Sequence, residues 1–243
     1  MTTWPVWSYW EGPKPIWIEM CLETMREHIP QLTIYNRETW EADRRSIEEN
    51  WDIPLDPLSP NHRADYIRVA LLARHGGIWM DADTLVMRPP HPLYALMDTD
   101  VDLICPRDDS GYLLPGLMGA KPSPDITVLY ESMARRLRAG EQFSWCGLLV
   151  APLTEVADFS PRAKEIPIHE VWPLQTTIED MAQLFVVGNN AEHEQHYRDL
   201  CPFYDPYLWI LAHEVVRKLG DPGDNPDTFF SWLYKRSLSQ RRQ

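Results

Sequence analysis

The sequence predicts an α/β protein, a Rossmann-like and mostly parallel sheet with helices on both faces. Three observations predict it. Short apolar runs alternate with helix-periodic stretches through the first half of the chain, the signature of strand–helix–strand units. The 243 residues are 44% hydrophobic and 24% charged, enough apolar mass for one sizeable core in a single domain spanning 1–243. Twenty-two prolines and 11 glycines imply many loops and few very long helices.

The elements follow in order. Residues 6–10 read as a first strand, stopped by Glu11-Gly12-Pro13, and Pro15 suits a helix start. Ile18, Cys21, Leu22, Met25 and Ile29 recur at helical spacing until Pro30. Residues 32–35 form a short strand with Asn36 at its end, 37–50 a polar helix, and 51–60, with three prolines, a loop. Asn61 is placed to cap the next helix, whose apolar stripe is Ala64, Ile67, Leu71 and Leu72. Gly76-Gly77 ends it as an αL cap. The apolar run 78–80 is a buried strand, Asp81-Ala82-Asp83 stands at its end, and Pro89-Pro90 stops further extension. Beyond that, strands are expected at 101–105, around 112–120, at 148–151 and at 165–168, and helices at 125–138 and 207–219, the last ended by Gly220.

Composition excludes several classes of partner. A formal net charge of −13 disfavours nucleic acid. Cys21, Cys105, Cys146 and Cys201 are far apart with no CxxC pair, which argues against zinc and for free thiols in a reducing compartment. Residues 1–10 lack the charged-then-apolar pattern of a signal peptide, and no apolar run approaches the roughly 18 residues of a membrane span. The expected location is cytoplasmic, or peripheral at the inner membrane face. Eleven tryptophans are many for this length, and exposed ones commonly face sugars or bases.

The chemistry concentrates at Asp81 and Asp83. Two carboxylates at i and i+2 on extended backbone share a side, and two like charges that close repel unless a cation or proton intervenes. Mg²⁺ or Mn²⁺ suits an all-oxygen site and takes substrate phosphates as further ligands. The bland alternative is a solvated loop with two incidental acids. Asp65 and Arg68, three apart on the preceding helix, share one face. An Asp there can accept from ribose hydroxyls and an Arg can meet phosphate, or the two are merely an exposed ion pair.

The run Ala64-Asp65-Tyr66-Ile67-Arg68-Val69-Ala70-Leu71-Leu72, followed by His75-Gly76-Gly77-Ile78-Trp79-Met80-Asp81-Ala82-Asp83-Thr84, resembles the DXD region of glycosyltransferase family 32, which includes capsular polysaccharide synthesis enzymes. Ala64 replaces the usual Ser, and Trp79 stands where an aromatic is expected. Val6-Trp7-Ser8-Tyr9-Trp10-Glu11-Gly12 resembles that family's first strand and base-binding turn. The resemblance covers about a third of the chain and becomes diffuse past Arg88. It implies a GT-A fold, a UDP- or GDP-linked sugar donor, a Mn²⁺ or Mg²⁺ ion, retention at the anomeric carbon, and a glycan or lipid-linked glycan acceptor. Asp81, Asp83 and Arg68 would be the catalytic residues. Trp7, Ser8, Tyr9, Asn36, Asp65, Arg68, Gly77, Asp81, Ala82 and Asp83 would line the donor site. Asp81 and Asp83 would hold the metal, with His213, after the aromatic segment 206–212, as candidate third ligand. Residues 1–120 would be the nucleotide-sugar and metal half, 121–227 the acceptor side, and 228–243 a basic aromatic tail.

Rival readings use the same residues. Asp81-Ala82-Asp83-Thr84 also resembles the nucleophile loop of haloacid-dehalogenase-type phosphatases, with Asp81 attacking phosphorus and Gly220-Asp221-Pro222-Gly223-Asp224 as a late acidic motif. A second rival is a non-catalytic module that binds nucleotide sugar or carbohydrate. His193 and His196 have metal-compatible spacing, but beside Glu192 and Glu194 they read as a solvated face. In the tail, Phe229, Phe230, Trp232, Leu233 and Tyr234 with Lys235, Arg236, Arg241 and Arg242 suit either a peripheral contact with anionic lipid or a terminal helix packed on the core.

Overall fold

A computed structural model describes residues 4–47 and 52–240. In chain order the strands are β1 Val6–Tyr9, β2 Leu32–Tyr35, β3 Gly77–Met80, β4 Thr84–Val86, β5 Leu103–Pro106, β6 Leu117–Ala120, β7 Ala163–Ile166 and β8 Leu208–Ile210. The helices are α1 Ile16–His28, α2 Arg37–Ile47, α3 Pro60–His75, α4 His91–Met97, α5 Pro124–Arg138, α6 Val150–Phe159, α7 Ile168–Val171, α8 Ile178–Ala182, α9 Asn190–Leu200, α10 His213–Leu219 and α11 Phe229–Ser239. The chain divides into two compact units, each assembled from separated stretches. The first comprises Met1–Glu11, Gln31–Met80 and His91–Ile166, the second Gly12–Pro30, Asp81–Pro90 and Pro167–Gln243.

The first unit is built on a sheet of order β2-β1-β3-β6-β5-β7. β1 pairs in parallel with β2 and β3, and β5 with β7, while β6 alone runs against its neighbours. Alternation along the strands splits the side chains between two faces. Tyr9, Tyr35, Trp79, Leu103, Cys105, Met118 and Ala120 share a buried cluster with Trp40 of α2, Ile67 and Leu71 of α3, Leu129 and Met133 of α5 and Leu153 of α6. On the opposite face a side chain at Gly119 would collide with Ile104 and with Met97 of α4. Helices therefore cover both faces, as the sequence predicts.

Helix α3 explains the strand that follows it. Pro60 sits in its first turn and Ser59, not Asn61, is the residue before it. A proline there loses no hydrogen bond, because the first N–H groups of a helix have no internal partner. Tyr66–Leu72 is buried without a break, a fuller burial than the expected single stripe. The helix ends at Gly76 with φ 65° and ψ −166°, outside the αL well, and Gly77 follows at φ 108°. β3 thus begins at Gly77, where an added Cβ would overlap the Pro5 carbonyl that receives the Ile78 N–H. Only glycine fits this crossing.

In the second unit β4 and β8 form an antiparallel pair, Thr84 opposite Ile210. α1 buries Trp17, Ile18, Cys21, Leu22 and Met25. Its first amides are capped from afar, since Asp221 accepts from the N–H of Ile16 (2.7 Å) and Trp17 (3.2 Å). α11 buries Phe229, Phe230 and Leu233, and Trp232 stacks on Phe229 at 5.7 Å.

Several expectations change. Residues 148–151 enter α6 and 207–212 carry β8, because short apolar runs have no period that separates strand from helix. β4 follows Asp83 directly and ends before Pro89-Pro90. Residues 112–116 contribute a single bridge, Arg107 to Leu113, and the strand proper is β6. The helix expected over 37–50 runs through Ile47, and its last three residues, with Trp51 of the expected loop, lie outside the described residues. Of the tail's apolar residues Phe229, Phe230 and Leu233 pack inward while Trp232 and Tyr234 stay half-buried, and Arg241 and Arg242 lie outside the described residues.

Candidate active site

In the first unit the expected donor residues sit on β1, after β2 and on α3. Trp7 donates through Nε1 to the Gly76 carbonyl at 2.9 Å, tying the first strand to the glycine turn. Ser8 is fully buried and its hydroxyl has no hydrogen-bond partner among the described residues. An orphaned buried hydroxyl costs free energy unless something else meets it. Burial, and then the Glu11 carboxylate, pushes the Tyr9 phenol far above its ordinary value. Glu11 in turn pairs with Arg63 at 2.8 Å, and Arg63 also donates to the Leu55 and Asp56 carbonyls. Asn36 is exposed and accepts the Thr39 N–H at 2.9 Å, which makes it the cap of α2.

Asp65 and Arg68 pair at 3.7 Å on one face of α3. Arg68 is only 4% exposed, and its guanidinium lies 4.9 Å over the Trp79 ring. The exposed surface ion pair allowed by the sequence is thus replaced by a buried, stacked cation.

The second unit holds the aspartate pair. Asp81-Ala82-Asp83 is a turn closed by the Thr84 N–H donating to the Asp81 carbonyl at 3.1 Å, not the extended run expected. The β4–β8 ladder brings a distant segment onto it. The Leu211 N–H donates to the Asp83 carbonyl at 3.1 Å, and the His213 N–H to Asp83 Oδ2 at 3.2 Å. The His213 ring stacks on Trp17 with centroids 5.7 Å apart, and burial lowers its pKa, leaving a neutral imidazole at neutral pH. Burial, with the Asp83 and Asp221 carboxylates behind it, drives the Cys21 thiol well above its ordinary value. The backbone contacts of Leu211 and His213 to Asp83 had no local signal in the sequence.

Among the described residues no group of three or more His, Cys, Asp or Glu side chains is arranged to hold a metal. A magnesium-type ion commonly takes one or two protein carboxylates and completes its shell with water and substrate phosphate. The oxygen donors of Asp81 and Asp83 fit that pattern. His193 and His196 do not form a solvated face as expected. His193 is buried, its Nε2 donates to the Asp227 carbonyl at 2.9 Å, and both rings pack on Phe229. One acid of the phosphatase reading's late motif has a structural task. Asp221 is occupied by the α1 amides and by the Gly223 N–H at 2.8 Å.

Residues 4–110 match the family model described as capsular polysaccharide synthesis protein. Among solved structures, the glycosyltransferase GlyE of Streptococcus pneumoniae TIGR4 aligns with TM-score 0.52 and 12% identity over 99% of this chain and 64% of that chain. Its apo form aligns with TM-score 0.51 and 11% identity over the same shares. This chain therefore spans 64% of the length of those structures. At such identity the likeness is one of fold, and the fold is the GT-A type that the DXD region implied. No curated protein matches by sequence.

Proposed function

We propose that this chain is a metal-dependent, retaining glycosyltransferase that moves a hexosyl group from a UDP- or GDP-linked sugar to a glycan or lipid-linked glycan. The observation that carries the reading is the Asp81-Ala82-Asp83 turn, which follows a fully buried strand and whose second aspartate is held by the amides of Leu211 and His213. The Leu211 amide holds the Asp83 backbone carbonyl and the His213 amide holds its carboxylate, which limits the directions that carboxylate can take. The family match over 4–110 covers this turn.

Asp81 and Asp83 would hold Mn²⁺ or Mg²⁺ with water and donor phosphate completing the shell, since the expected third ligand His213 forms no metal-holding group with them, and the ion would neutralise charge developing on the departing diphosphate. In the first unit, Asp65 would accept from donor hydroxyls and Arg68 would face donor sugar or phosphate. Trp7, Ser8 and Tyr9 would meet the base and ribose, with Asn36 near them. Gly77 and Ala82 would contribute backbone rather than side chain. The acceptor hydroxyl attacks the anomeric carbon from the face the diphosphate leaves, and the leaving oxygen takes its proton. No protein base is assigned.

All four cysteines are free and three are buried, which fits a reducing, cytoplasmic setting. Among the described residues no helix is long and apolar enough to cross a membrane.

The test is a panel of UDP- and GDP-sugars assayed for hydrolysis and thermal shift, with Mn²⁺ and with chelator. Metal-dependent hydrolysis of one donor is expected. Binding without any turnover would instead favour the non-catalytic module.

A further inference from the structure

Of the aromatic side chains left in solvent in the first unit, Trp145 has an unusual mount. A single exposed aromatic is ordinary on a protein surface and by itself implies nothing. Phe159, at the end of α6, is 85% exposed and has no such setting.

Trp145 is 61% exposed and occupies the second position of a tight turn, Ser144 to Gly147, closed by the Gly147 N–H donating to the Ser144 carbonyl at 3.0 Å. Both ends of that turn are pinned. Arg136 of α5 grips Glu141 with two nitrogens (2.8 and 2.9 Å), donates to the Gly147 carbonyl at 3.0 Å, and lies 4.7 Å over the Phe143 ring. On the other side His62 of α3 donates from Nε2 to the Ser144 carbonyl at 3.2 Å, and its ring meets Phe143 edge-on at 6.0 Å. Leu148 and Leu149, immediately after the turn, are fully buried in the core. No hydrogen bond or ring contact holds the Trp145 indole itself among the described residues. The fold thus fixes the backbone beneath an indole that it does not use.

The direction of the mount matters. His62, Asp65 and Arg68 stand three residues apart along α3, so they share one stripe of that helix. The turn that presents Trp145 is therefore fastened one helical turn from Asp65. The Asp65 carboxylate is near enough that, after burial, its charge is the next cause raising the Cys146 thiol.

We infer that Trp145 is a stacking platform for the acceptor sugar, lying against the apolar C–H face of a pyranose. An indole offers a large rigid face at low conformational cost, and a pyranose is one of the few soluble ligands with a matching flat apolar face ringed by hydroxyls. The assignment of this sugar to the acceptor rests on the glycosyltransferase reading; the platform itself does not.

The test is saturation-transfer NMR of the full chain with methyl β-D-galactopyranoside, methyl α-D-glucopyranoside and methyl α-D-mannopyranoside. Saturation of the ring C–H protons of at least one glycoside is expected. Trp145→Ala and Trp145→Gln should each weaken that glycoside about tenfold, Trp145→Phe should largely restore it, and Phe159→Ser should leave it unchanged. Two results overturn the platform: no glycoside saturated by the wild-type chain, or Trp145→Ala and Trp145→Gln binding as tightly as wild type. Donor turnover is read in parallel. Glycoside binding through Trp145 with no nucleotide sugar bound or turned over would sink the glycosyltransferase reading and leave the platform standing. Donor turnover with glycoside binding indifferent to position 145 would do the reverse.

Discussion

Trp79 and Trp145 are the same side chain in the same unit with opposite fates. Trp79 is fully buried under the Arg68 guanidinium, in the strand that precedes the aspartate pair, whereas Trp145 rides a pinned turn with its indole in solvent. Asp221 and Asp83 make a parallel contrast in the second unit. Asp221 takes three backbone amides and serves as a remote helix cap, while Asp83 receives the His213 amide and sits in the turn where the DXD resemblance falls. Residue type therefore does not by itself fix what a side chain does; its surroundings in the fold do.

The largest effect expected is on stability. Trp79→Ala removes a fully buried indole and should cost about 3–5 kcal/mol in urea unfolding. A Trp79→Ala protein as stable as wild type would erase the contrast with Trp145. Next, Asp83→Asn should lower metal-dependent donor turnover at least a hundredfold, about 2.7 kcal/mol, with the fold intact. Near-normal turnover under limiting Mn²⁺ would contradict the role given to this turn. Asp221→Ala should behave oppositely, losing about 1–2 kcal/mol of stability as the α1 cap is lost, with turnover per folded molecule unchanged. Asp65→Ala should raise the donor KM about tenfold with a smaller change in kcat, because it removes ground-state contacts and leaves Asp83 in place. An equal fall in kcat would move Asp65 from binding into the chemical step. Smallest is Trp145→Ala, whose unfolding free energy should stay within about 0.5 kcal/mol of wild type, and a larger loss would mean the indole is packed after all.

Much of the candidate site is local and so was legible. The stretch from Ala64 to Thr84 holds helix, glycine crossing, buried strand and aspartate pair within about twenty residues, and each signal is one of spacing or residue type. The same logic failed where runs were short. Leu208-Trp209-Ile210 could continue a helix or form a strand, and only pairing with β4 makes it a strand. Leu148-Leu149 likewise turned into the approach to α6. The reading of His193 and His196 as solvated failed because the aromatics of α11, more than thirty residues on, cover them.

By itself the sequence determined the α/β class, the glycine-terminated helix, the strand leading to Asp81 and Asp83, and the DXD resemblance, because all of these depend on neighbours close along the chain. Tertiary structure alone decided which groups Asp83 and Asp221 meet. The His213 amide reaches Asp83 across 130 residues, and the Ile16 amide reaches Asp221 across 205. Contacts at such separations leave no periodicity to read. They arise only when packing has spent the apolar surface and the remaining donors must find acceptors.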